Sequence, residues 1–123
     1  MGIRRNKTIL EQAADYVDSV VEAASEKAGP AIAEALDGPD RIYLSVDIDV
    51  VDPGMAPGTG TPESGGLLAR ELLRAVRQIV GAVELAGMDV VEVSPPYDTS
   101  EITAILAHRV VMEAIAALAA TRA

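Results

Sequence analysis

The stretch Ile42-Tyr43-Leu44-Ser45-Val46-Asp47-Ile48-Asp49-Val50-Val51-Asp52-Pro53 decides how the rest of the chain is read. From Ile42 to Ile48 it is β-branched and apolar almost without interruption, which predicts an interior strand covered on both faces, as in a parallel sheet. Asp47 and Asp49 close that run. Two apart on a strand, they leave the same face, with Cα atoms roughly 6 to 7 Å apart by the strand rise. Carboxylates this close oppose each other's ionisation unless a cation lies between or beside them, and hard divalent ions such as Mn²⁺ and Mg²⁺ prefer carboxylate oxygen. The pair therefore reads as a candidate metal site. Asp52, directly before Pro53, reads instead as a turn-capping residue.

Downstream of this stretch, Pro, Gly, Thr and Ser dominate from Asp52 to Gly66, which excludes helix and central strand and predicts a long irregular loop. Leu68, Leu72, Val76, Ile79 and Val83 then recur at helical spacing, with Arg70, Arg74 and Arg77 on the solvent side. Gly87 to Val93 predicts a second strand, cut off by Ser94-Pro95-Pro96. Asp98 and Glu101 bracket the start of a last helix running through Ile102, Leu106, Val110, Ile115 and Leu118, whose few charges predict deep burial. Upstream, Thr8-Ile9-Leu10-Glu11 has the form of a capping box opening a helix with Leu10, Ala14, Val17, Val21, Ala24 and Ala28 on one stripe. Gly29-Pro30 ends it, and a short helix over 31–36 precedes the turn Asp37-Gly38-Pro39-Asp40. Strands alternating with helices are the grammar of α/β units, whose ligands gather at the carboxyl ends of the strands. Two strands leave sheet edges open, which predicts association with a second copy or another chain.

Composition narrows the function classes. The 123 residues include no Cys, which excludes thiolate metal sites and cysteine nucleophiles, and one histidine, His108, which leaves no multi-histidine site. His108 falls inside the last helix, where a packed or surface role is the expectation. A net charge of −9 disfavours nucleic acid; it would attract cations, although an acidic balance that serves only to keep the protein in solution fits better. No signal-peptide pattern follows Met1, and no apolar run of membrane-spanning length stands out, so a cytoplasmic protein without membrane contact is expected.

Motif text separates the metal readings. An EF-hand fails because Val51 and Asp52 stand where its fifth ligand and invariant glycine belong. Asp47-Ile48-Asp49-Val50 resembles the box of haloacid-dehalogenase-type phosphatases, which also use a downstream lysine, and no lysine follows Lys27. The longer block, Ser45 to Pro53 continued by Ala56-Pro57-Gly58-Thr59-Gly60-Thr61-Pro62-Glu63-Ser64-Gly65-Gly66, resembles the signature of the ureohydrolase family of arginases, agmatinases and guanidino-acid hydrolases. Met88-Asp89-Val90-Val91-Glu92-Val93-Ser94-Pro95-Pro96-Tyr97-Asp98 resembles the second block of that family in its agmatinase form, and Gly2-Ile3-Arg4 resembles the strand-end tripeptide before it.

That resemblance implies a three-layer α/β/α fold with a parallel sheet, of which residues 1–123 form the C-terminal part. It implies a pair of Mn²⁺ ions, with Asp47 matching the bridging aspartate and Asp49 a terminal ligand. Glu92 matches the carboxylate that holds the guanidinium, and Thr61 a hydroxyl near it, although a turn-stabilising threonine fits as well. The implied reaction hydrolyses an agmatine-like guanidino compound to urea and an amine. The family's upstream histidine and its Asp-x-His-x-Asp strand are not in this sequence. Either an association supplies the missing ligands, or the chain is a non-catalytic α/β module that retains the motifs.

Overall fold

The computed structural model describes residues 32–34, 36, 37 and 39–123. The helix expected from Thr8 and the Gly2-Ile3-Arg4 tripeptide lie outside the described residues. Residues 32–34 and 36 are helical, as the short helix over 31–36 predicts.

Four elements carry the rest: strand β1 (Ile42–Asp47), helix α1 (Ala69–Ala82), strand β2 (Leu85–Val91) and helix α2 (Ile102–Arg122). The strands pair in parallel, Ile42 with Leu85 at one end and Asp47 with Val91 at the other. The α/β class with a parallel sheet is thus as expected. Leu44, Val46, Ile48, Val50 and Val51 join one apolar cluster with Leu72, Val76, Ile79 and Val80 of α1 and Leu106, Val110, Ala114 and Ala117 of α2. Helix α1 forms where its apolar stripe predicts, and the Glu71 carboxylate accepts from the Leu68 N–H at 2.8 Å, satisfying one amide at its start. Helix α2 starts from a corner in which Ser100 (φ 54) and Glu101 (φ 59) are left-handed. The two Asp98 oxygens accept from the first-turn amides of Thr103 and Ala104, each at 3.0 Å.

Four expectations are corrected. Strand β1 ends at Asp47, and Ile48–Val50 turns into a 3-10 helix, because the Asp47 carboxylate accepts the Asp49 amide at 3.1 Å and bends the chain. Strand alternation therefore does not relate Asp47 to Asp49. Secondly, the described residues cover β1 on one face only: Tyr43 is exposed and Ser45 half-buried, and their hydroxyls donate to Asp89 at 3.0 and 2.6 Å. These polar side chains make the second face wettable where the apolar run suggested a core. Thirdly, β2 begins earlier than Gly87 and stops at Val91, since Glu92 takes a left-handed conformation (φ 67) that no strand continues.

Lastly, α2 is not deeply buried. Ile105 is 61% exposed, Ile115 53% and Met112 45%, because α1 and the sheet cover one side of a helix that is apolar all round. At 21 residues α2 is long and apolar enough to cross a membrane by length and composition, contrary to the reading of the sequence. Its one covered side, through Leu106, Val110, Ala114 and Ala117, joins the apolar cluster with α1. Glu113 is buried in that seam, where Arg77 of α1 and Arg109 of α2 both bind its carboxylate and hold it ionised below the usual glutamate range, against the cost of burial.

Candidate active site

The carboxyl ends of β1 and β2 lie side by side, and the chemistry-bearing residues gather there. Asp47 is the last residue of β1, and Asp49 sits in the 3-10 turn that follows. Because Asp47 pairs with Val91, the last residue of β2, the residue that follows it, Glu92, emerges beside the aspartates. Its left-handed backbone breaks the strand alternation at that point. Thr61 arrives from the loop, and its hydroxyl donates to Asp49 Oδ2 at 2.8 Å.

Burial is the main cause that pushes the Asp47 carboxyl up to about 6; the Asp49 amide opposes the rise, and the carboxylates of Asp49 and Glu92 add to it. Three acids thus share one end of the sheet. Among the described residues no group of three His, Cys, Asp or Glu side chains converges tightly enough to enclose a metal ion. Asp47 and Asp49 supply hard oxygen donors suited to one side of such an ion, fewer than the six or so that Mg²⁺- or Mn²⁺-like ions take. His108 is exposed on α2, outside the site.

The loop over 52–66 is irregular, as its composition predicts, yet firmly held. Val51 bridges Leu67 in parallel, the Leu67 N–H donating to Val50 O at 2.7 Å and the Asp52 N–H to Leu67 O at 2.9 Å. Gly66 fits between them because a Cβ there would stand 2.6 Å from Val50 O. Asp52 is the cap expected of it: its carboxylate accepts from the amides of Gly54 (2.8 Å) and Gly65 (2.9 Å), which hold it below the usual aspartate range. Thr59 is buried within the loop, its hydroxyl without a partner among the described residues.

Sequence reasoning missed the Asp89 cluster with Tyr43 and Ser45. Its one signal was an aspartate in the middle of a strand pattern, a position that needs hydrogen-bond partners. It also missed the Thr61 to Asp49 contact, which no spacing rule joins.

A model of the Arginase family matches residues 5–117. Proclavaminate amidinohydrolase of Streptomyces clavuligerus is 58% identical over 73 residues, covering 59% of this chain and 23% of that protein. Putative agmatinase 1 of Schizosaccharomyces pombe is 39% identical over 105 residues, covering 85% of this chain and 24% of its own length. The solved structure of the Streptomyces clavuligerus enzyme aligns with a TM-score of 0.76 and 44% identity over 85% of this chain and 34% of the other. The chain spans about a quarter of the length of these curated relatives.

Proposed function

This chain belongs to the arginase family, and on that premise we propose that Asp47, Asp49 and Glu92 form part of a metal-dependent site that hydrolyses a small guanidino compound, of agmatine type, to urea and an amine. The observation that carries the reading is the meeting of Asp47, Asp49 and Thr61 at the carboxyl end of a parallel sheet, where α/β folds bind their ligands. Two adjacent carboxylates with no cationic side chain hydrogen-bonded to them among the described residues suit a divalent ion, Mn²⁺ in this proposal. Such an ion, when bound, supplies Lewis-acid activation of water.

The chain's own residues do the rest. Asp47 and Asp49 provide one side of the ligand set, and the remaining donors come from beyond the described residues. Thr61 fixes the rotation of the Asp49 carboxylate through its hydrogen bond. Glu92 faces the same end of the sheet, and a carboxylate is the natural partner for the planar, forked donors of a guanidinium. Hydrolysis then breaks one carbon–nitrogen bond of that group: water adds across it, the carbon leaves as urea and the nitrogen as the amine.

The test has two readouts on the full chain. Manganese should raise the melting temperature, and Asp47→Asn should lose that rise; urea should be released from agmatine or another guanidino compound in the presence of Mn²⁺. No thermal shift and no urea would end the reading. The chain's short span of its relatives favours a second reading, a module that retains the ligands without turnover, and a manganese shift without urea would select it.

A further inference from the structure

The loop that delivers Thr61 to Asp49 is anchored on the start of α2. The Gly58 N–H donates to Thr103 Oγ1 at 2.8 Å, and the Ser94 N–H donates to Gly58 O at 2.7 Å. Thr103 is fully buried, and its own N–H donates to Asp98 Oδ1 at 3.0 Å. The spacing admits nothing larger than glycine, because a Cβ on Gly58 would stand 2.6 Å from the Asp98 Cβ. Beyond this anchor the loop is open: residues 60–65 are exposed, and a Cβ on Gly60 would meet nothing. Gly58 and the buried Thr59 after it, whose N–H donates to Pro57 O at 2.9 Å, are thus the tightly held points before Thr61.

We propose that Thr103 is a positioning residue, whose buried hydroxyl fixes Gly58 so that the Thr61 hydroxyl stays on the Asp49 carboxylate and orients it toward a divalent cation. The proposal rests on the reading of Asp47 and Asp49 as cation ligands. Residues that orient a ligating carboxylate typically set metal affinity over 10- to 100-fold, and a residue acting through one of them passes on part of that effect. Without the Thr103 hydroxyl the Gly58 N–H is buried and unpaired, a cost the loop relieves by moving away.

The experiment is titration of the full chain with Mn²⁺, read by calorimetry well below the melting temperature. Thr103→Val should weaken binding about tenfold, and Thr103→Ser, which keeps the hydroxyl, should restore it. In a Thr61→Val background, Thr103→Val should add no further loss, because the two act in series. Unchanged affinity in Thr103→Val, with only a lower melting temperature, would overturn the proposal, as would an equal loss in the Thr61→Val background. Thr61→Val alters an exposed side chain and keeps the question decidable if Thr103→Val does not fold: unchanged affinity there overturns it too. A parent chain that takes up no Mn²⁺ overturns the reading of the aspartate pair and this proposal with it.

Discussion

Asp47 combines partial burial with two acidic neighbours, so its proton is held in the folded chain to about pH 6 against an ordinary value of 3.8. Between those values the folded protein keeps a proton that the unfolded chain has released, and stability falls as pH rises through the window. Metal-free melts from pH 4 to 7 should show that decline in the parent and a flatter curve in Asp47→Asn; parallel curves would refute the assignment. The lowered Asp52 and Asp98 carboxyls act in the opposite sense, losing their stabilisation as pH falls below about 4. At this scale the sequence was informative wherever chemistry is local. Asp52 before Pro53-Gly54 is a turn cap by its neighbours alone, and Asp47-Ile48-Asp49 marks itself as an acidic pair. The conformation of Glu92 was hidden, because alternation through Val91 and Val93 argues for a continuing strand and a left-handed glutamate leaves no trace in residue type.

At the scale of elements, helix periodicity located α1 to within a residue at each end and the start of α2, since each buries a face that repeats every 3.6 residues, while α2 runs on four residues past Leu118 to Arg122. Strand ends were less legible. They are set by side-chain hydrogen bonds to the backbone, as at Asp47, and by Glu84, whose carbonyl takes the Ile42 N–H at 2.9 Å and draws β2 earlier than its composition suggests. Burial of α2 was misjudged for a different reason: an apolar sequence states what a helix tolerates, while its neighbours decide what it covers. Leu72 lies wholly inside the cluster shared by α1, α2 and β1. Leu72→Ala should cost about 2–5 kcal/mol, measured by denaturant unfolding, and a loss under 1 kcal/mol would show that the cluster is not the core. Gly66→Ala should destabilise as well, for its new methyl meets the backbone of Val50 and Asp52, which the Val51–Leu67 bridge holds in place. A melting temperature equal to that of the parent would contradict the closeness of that approach.

At the scale of the whole molecule, the sheet among the described residues has two strands with open edges and one polar face, and α2 turns Ile105, Met112 and Ile115 outward. Such surface is costly in water, and the full chain should associate; light scattering that returns a monomer mass across the micromolar range would refute this. The family was legible because its signature lies in contiguous text from Ser45 to Gly66 and Met88 to Asp98. The pairing of Val51 with Leu67 also means that the lobe over 52–66 departs from and returns to nearly the same point. A protease that severs the exposed 63–64 link should therefore leave a nicked molecule whose halves co-migrate under native conditions and separate only in denaturant.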